Sequence, residues 1–261
     1  MNIWKEITMK FKKLIVWLVI ILFWFLLTIP ALDLVNPTLV PSPYKVVLAF
    51  IDIIKNGYNH IPFYQHLTAS FGRLFLSIFL AVVIAVPLGL VSGYVKKIET
   101  VVSTVVEFVR PLPPLAYYML LVLWLGIGNT SKIVLLFIAA FAPVYISCVQ
   151  AVKLVRQDYI LSVKTLGAKK FQVFTQVVFP AALPNIFTGI RTATGVAYTT
   201  LVSAEMIAAV SGIGWMILDA SNYLKSDVIF VGIIIIGVSA ILLDKFLQFV
   251  ENKVVFWKGK A

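Results

Sequence analysis

The sequence predicts an all-α membrane protein with six transmembrane helices and both termini in the cytoplasm. Three observations carry that expectation. The composition is 61% hydrophobic and 13% charged, with a mean hydropathy of +1.00, whereas soluble domains are nearer half apolar and a quarter charged. Apolar runs recur at bilayer length, since a helix rising ~1.5 Å per residue needs about 20 residues to cross the hydrocarbon. Lysine and arginine crowd into alternate connections.

The runs come in order. Residues 14–32 form the first, behind Lys5, Lys10, Lys12 and Lys13. A secretory leader also starts with basic residues, but this run exceeds an ordinary leader's apolar region and no A-x-A site follows. It reads as a retained first helix. Residues 33–73 are the longest external loop, with P-S-P at 41–43 and a candidate helix near 44–56. The second span is 74–95. The third, 115–127, is short, and the proline-rich residues before it complete the crossing. The fourth is 133–152. The fifth, 185–208, holds Arg191 and Glu205, and the sixth, 228–250, holds Asp244 and Lys245. No low-complexity tract or convincing repeat appears.

With the N-terminus inside, 15 of the 22 basic residues are cytoplasmic, 5 are external (Lys45, Lys55, Arg73, Lys132, Lys225), and Arg110 and Arg191 lie within spans. The net charge of +11 is therefore an orientation signal and a contact with anionic lipid, not a nucleic-acid footprint. Cys148 has no partner cysteine and reads as a buried structural thiol. His60 and His66 lack the neighbouring cysteines or carboxylates of a metal site.

Residues 158–184 are longer than a turn between helices requires. They carry Lys164, Lys169 and Lys170. Asp158 is placed to cap a first short helix and Gly167 to end it in a left-handed turn. Residues 168–178 make a second piece that stops before Pro180. Ile160, Leu161, Val163, Leu166, Phe171, Val173 and Phe174 are too many apolar residues for a solvated connector. The element needs a partner surface, either a protein or the bilayer interface.

This loop resembles the cytoplasmic loop of prokaryotic binding-protein-dependent ABC-importer permeases. The family pattern is E-A-A, three residues, G, nine residues, I-x-L-P. Here Leu161, Ser162 and Val163 replace E-A-A, Gly167 and Pro180 match, and Val177 and Phe179 stand for the isoleucine and leucine. The following A-A-L-P-N-I-F-T-G-I-R (181–191) is similar too. So are R-P-L-P-P-L-A-Y-Y (110–118), W-L-G-I-G-N-T-S-K-I (124–133), L-V-S-A-E-M-I-A-A (201–209) and S-G-I-G-W-M-I (211–217), which look like the sulfonate, nitrate and taurine branch. Y-L-K-S-D-V-I-F-V-G-I (223–233) and Trp257 look most like taurine permeases.

The resemblance implies the type I ABC importer permease fold in a multi-pass protein of the prokaryotic plasma membrane. Residues 1–65 would be the first helix and external loop, 66–250 the transmembrane domain with its coupling loop at 153–184, and 251–261 a cytoplasmic tail. Ser162, Val163, Thr165, Leu166, Gly167, Ala168, Phe171, Val177 and Pro180 would grip an ATPase subunit. An extracytoplasmic binding protein and a second permease copy would complete the importer. No G-x-x-x-x-G-K-[ST] occurs, so ATP and Mg²⁺ would sit on the partner. The implied solute is taurine, with alkanesulfonates, nitrate or another small anion as alternatives.

Charges inside spans are costly, ~2.5–3.5 kcal/mol on insertion scales. Glu107 and Arg110 share a helical face, either as a local ion pair or as part of a path wall. Pro111, Pro113 and Pro114 break the helix beside them, which is tolerated where protein or a wet cavity surrounds it. The candidate path residues are Arg110, Pro113, Pro114, Tyr117, Glu205, Gly212 and Gly214. Glu205 either pairs with a neighbouring helix or faces the path and meets a substrate ammonium. Residues 211–214 suit a turn before a short external gate helix, or an ordinary loop with an interfacial Trp215. An ion-coupled carrier would have only Glu107 and Glu205 as candidate carboxylates, and a membrane enzyme would need clustered His, Asp or Ser that this sequence lacks.

Overall fold

The computed structural model describes residues 3–29 and 34–257, with the side chains of 3–10, 13 and 14 left aside. All regular elements among them are helical. They are α1 (Ile3–Leu27), α2 (Pro43–Asn56), α3 (Phe63–Tyr94), α4 (Lys96–Val109), α5 (Pro114–Leu125), α6 (Asn129–Lys153), α7 (Gln157–Thr165), α8 (Lys170–Val173), a π-helical turn (Phe174–Val178), α9 (Phe179–Ala208), α10 (Ile213–Asn222) and α11 (Ser226–Val254). Helices are what a chain in lipid must form, because each backbone group then finds its partner within its own segment.

Among the described residues four helices are long and apolar enough to cross a membrane: Phe63–Tyr94, Asn129–Lys153, Lys170–Ala208 and Ser226–Val254. The expected third span is a bent pair, α4 and α5, which meet at 98° and make a fifth if counted together. The apolar part of α1, Ile15–Leu27, is shorter than a full crossing. The expected first run ends in residues 30–33, which lie outside the described residues, as do Lys258 and Lys260 of the tail.

Three expectations are corrected. The external loop does not reach residue 73, because α3 begins at Phe63 and takes Arg73 into its length. Lys132 likewise belongs to the first turn of α6, where it is buried. Pro180 and Pro184 do not separate the cytoplasmic segment from the fifth span. The helix runs on from Lys170 to Ala208. A proline removes an N–H and crowds the preceding turn. Pro180 falls in the first turn of α9, directly after the wider π turn, where that loss is absorbed without a break.

The residues group into two compact units, one of Met1–His66 and Met216–Ile236, the other of Leu67–Trp215 and Gly237–Ala261. In the first, the Trp24 indole donates to the Pro41 carbonyl at 3.0 Å and stacks on Phe230 at 5.4 Å. Ser42 accepts from the Lys45 N–H to cap α2, and Pro43 opens the helix. Tyr58 donates to Asp219 at 2.8 Å. Burial, and then that hydrogen bond, push its phenol above the ordinary range, so it stays a donor.

In the second unit α6 is the central element, and close approach sets its neighbours. A Cβ at Gly189 of α9 would overlap the Ser147 side chain of α6. Gly89 and Gly93, one turn apart on α3, would do the same against Cys148 and Val152. This is the G-x-x-x-G spacing by which membrane helices pack backbone against backbone, since lipid supplies no hydrophobic drive between them. Tyr118, Leu121, Leu135 and Ala204 close a core between α5, α6 and α9.

Gly189→Leu should therefore destabilise the protein by roughly 1–3 kcal/mol through overpacking. Gly195→Ala on the same helix, where nothing lies within 4 Å, should be neutral or stabilising by up to about 1 kcal/mol. Thermal unfolding in detergent compares the two.

Candidate functional site

The segment after α6 builds the first candidate site. The N-cap of α7 is Arg156, with no side-chain cap bond, so the expected capping by Asp158 does not occur. Asp158 sits in the first turn instead and accepts from Arg156 at 2.9 Å. A carboxylate there still complements the helix N-terminus. Gly167 follows α7 with φ +85°, and the Ala168 N–H reaches back to the Val163 carbonyl at 3.2 Å, closing the helix in the left-handed way. The Lys169 N–H donates to Gln172 Oε1 at 2.8 Å and starts α8.

This elbow has a buried side and a bare side. Val173 and Val178 are buried, and Phe174 packs edge-on against Tyr94 at 5.9 Å and near Phe179 at 6.5 Å. Leu166 is 86% exposed, Phe171 76% and Leu161 56%. Ser162, Thr165 and Gly167 are also exposed, while Val163, Ala168, Val177 and Pro180 are half-buried. The predicted coupling residues thus lie along one continuous segment, with its three large apolar side chains bare.

The predicted path residues do not form a single site. Arg110, Pro114 and Tyr117 line a cavity of about 440 Å³ with Ser147, Gln150 and Thr192 from α6 and α9. Pro113 caps α5 without lining the cavity. Arg110 and Glu107 are both exposed and make no ion pair with each other. The chain leaves α4 at Arg110, one residue before the proline break, and the guanidinium has no protein partner among the described residues.

Glu205, Gly212 and Gly214 gather elsewhere, in a buried knot. The Glu205 carboxylate, wholly buried, accepts from Arg73 Nη1 at 2.6 Å, from Ser70 Oγ at 2.8 and 2.9 Å, and from the Gly214 N–H at 3.0 Å. Arg73 also donates to Asn129 Oδ1 at 2.8 Å and to the Ser211 carbonyl at 3.0 Å. Ser70 Oγ in turn accepts from the Ile213 N–H at 3.0 Å. A Cβ at Gly212 would strike the Glu205 carboxylate, and one at Gly214 would meet the Val202 carbonyl at 2.5 Å. Of the two roles open to Glu205, the structure displays pairing with a neighbouring helix. Arg191 lies apart, bonded to Asp244 at 2.8 Å and Glu251 at 3.5 Å.

Sequence reasoning missed Arg73 and Ser70 because it placed both in a loop. The signal was present: an arginine three residues after a serine, at the head of an unbroken apolar run, shares one helical face with it. Ser147, Gln150 and Thr192 carried no signal of their own.

The profile of the family described as "binding-protein-dependent transport system inner membrane component" matches residues 85–256. The chain belongs to that family. This permease is 38% identical over 258 residues to the taurine transport system permease protein of Escherichia coli K12, covering 98% of this chain and 92% of that one. It is 34% identical over 248 residues, 95% of this chain and 88% of the relative, to a putative aliphatic sulfonates transport permease protein of Bacillus subtilis 168. A nitrate import permease protein of Synechocystis matches at 36% over 149 residues, 57% of this chain and 54% of its own. Among solved structures, an inward-facing methionine ABC transporter superposes with a TM-score of 0.60 at 20% identity, covering 74% of this permease and 94% of that chain. The fold is thus that of type I ABC importer permeases. The permease is a multi-pass inner-membrane subunit that works with an ATPase and a substrate-binding protein.

Arg73→Met or Glu205→Leu alone should cost this permease about 3–5 kcal/mol, because each leaves a buried charge unpaired. The double variant should cost far less than the two together. Unfolding midpoints for the four proteins of that cycle read the coupling directly.

Proposed function

We propose that this permease forms the transmembrane pathway of an ATP-driven importer of a small sulfonate, with taurine as its solute, and that the elbow from Asp158 to Val178 is where the motor pushes. The two quoted relatives that match along nearly the whole chain are named for taurine and aliphatic sulfonates, whereas the nitrate permease matches 57% of it, which favours a sulfonate over nitrate. Counting α1 and the bent α4–α5 pair as one crossing each gives six spans. That even number leaves both termini on one side, and the bias of lysine and arginine in the sequence assigns that side to the cytoplasm. Residues 66–250 then act as the transporting domain and 251–261 as its tail.

One observation carries the coupling role. Leu161, Leu166 and Phe171 stand bare on a segment that also holds Lys164, Lys169 and Lys170. Large apolar side chains exposed together at a polar boundary mark a contact surface. A bilayer-lying helix would use such residues too. Here they sit on either side of a left-handed turn at Gly167 rather than along one face of a continuous helix. That shape suits a socket on a protein.

The elbow is also a lever. From Lys170 onward it shares one helix with the fifth span, so displacement at Phe171 passes into the span without a hinge. ATP and Mg²⁺ sit on the partner, whose closure draws two elbows together in a pair of permease copies. The many exposed apolar side chains of the spans, Phe79, Val83, Ile234 and Leu242 among them, meet lipid.

Leu166→Glu and Phe171→Glu test the assignment. Both sites are exposed, so each substitution should change stability by no more than about 0.5 kcal/mol. Each should nevertheless cut co-purification of the ATPase subunit, and with it ATP-driven import, at least about tenfold. Undiminished association would overturn the coupling role. Gly167→Ala should act more mildly. The space around Gly167 is open, and the left-handed φ alone costs about 1 kcal/mol.

A further inference from the structure

We propose that the cavity between the broken α4–α5 pair and the α6–α9 crossing is a station for the oxyanion end of the solute, with the Arg110 guanidinium supplying its charge. This rests on the importer reading above. It adds a site and a chemistry inside the pathway, and it says what the pathway does not read.

The cavity has an unusual balance of polar groups. Arg110 is its one charged lining residue, and no Asp or Glu lines it. Tyr117, Ser147 and Gln150 line it as well, and the side chains of all four lack a hydrogen-bond partner among the described residues. Thr192 differs, because its hydroxyl donates back to the Thr188 carbonyl. Four donors are therefore left unspent around one space. In a span, polar groups normally find protein partners, and those that do not mark a wet path or a ligand.

The complement of unspent donors is a group that only accepts. A sulfonate offers three acceptor oxygens sharing one negative charge, and a guanidinium presents a fork of N–H donors that matches two of them. The volume of about 440 Å³ lies within the range of small-molecule sites. It leaves a small sulfonate partly hydrated. Loose holding suits a conduit, where an occupant must also leave.

The alternative polar centre is closed to solute. Of the two carboxylates that could meet an ammonium, Glu107 does not line the cavity, and the Glu205 oxygens already accept from Arg73, Ser70 and the Gly214 N–H. The pathway therefore recognises the anionic end alone, and the choice between sulfonates with and without an amine falls outside this chain.

The test uses the complete importer, with its ATPase and binding protein, in proteoliposomes. Solute imported per ATP hydrolysed is measured for taurine, ethanesulfonate and nitrate. In Arg110→Gln the ratio should fall about tenfold for taurine and ethanesulfonate alike, and Arg110→Lys should restore part of it. Gln150→Leu should lower the ratio more mildly. An unchanged ratio in Arg110→Gln would overturn the station while leaving the importer reading intact. A loss for taurine much larger or smaller than for ethanesulfonate would overturn reading by the anion alone. Equal failure of Arg110→Gln and Arg110→Lys to form the complex would make Arg110 a structural residue and also sink the proposal. A wild-type importer that hydrolyses ATP but moves none of the three solutes would instead refute the sulfonate reading itself.

Discussion

A carboxylate buried away from water has to be satisfied in full, and Glu205 imposes that demand on everything around it. Its oxygens take hydrogen bonds from α3 through Ser70 and Arg73, and from the backbone at Gly214. Arg73, also buried, then needs Asn129 at the head of α6 and the Ser211 carbonyl. One charge thus ties the starts of α3 and α6 to the end of α9 and to the turn that follows. The local sequence yields to it. Gly212 adopts φ +129°, and neither Gly212 nor Gly214 has room for a side chain beside the carboxylate and the α9 backbone. S-G-I-G is thus the shape the turn takes around a buried anion. In a low-dielectric interior a half-satisfied network would be worse than an apolar core, so the knot holds as a unit.

The same rule operates in reverse at the α4–α5 break. Leu112, next to the prolines, keeps one turn bond, from its N–H to the Val109 carbonyl, and the chain then turns through 98° into α5. The side chains beside the break remain without protein partners and border a cavity. Saturated polar groups give a rigid scaffold at one end of α3, α6 and α9, while unsaturated ones give a place for solute along α6. The elbow is a third case. It anchors itself through Val173, Val178 and Phe174 and leaves Leu166 and Phe171 bare, which is the distribution expected of a part that moves with the span yet is gripped from outside.

Much of this was written in the chain. The apolar runs located α6 and α11 closely at both ends, and α3 and α9 at their C-terminal ends only, because hydrocarbon thickness imposes a length that sequence alone can meet but does not say how far a helix runs on beyond it. Gly167 announced its left-handed turn, and the prolines at 111, 113 and 114 their break, because both are backbone properties of single residues. The fate of Pro180 was misread, since a π turn can absorb a proline that would end a regular helix, and nothing local signals it. Arg73 and Lys132 were misread as loop residues because charge counting assigns charges to loops by default. Burial against partners distant in sequence was the information it lacked.

The sequence by itself determined the class of solvent, the helical state and the positions of the breaks, since these follow from composition and from the conformational limits of glycine and proline. Its motifs also pointed to the family. Only the tertiary structure decided which polar groups are spent and which are free. Glu205 and Arg110 look alike in the sequence, each a charge in an apolar neighbourhood. One is saturated by Arg73, 132 residues away along the chain, and the other is left facing a cavity. That difference depends on which helices touch, and the small residues at the α3–α6 and α6–α9 crossings set those contacts through side-chain volumes that must fit together in space.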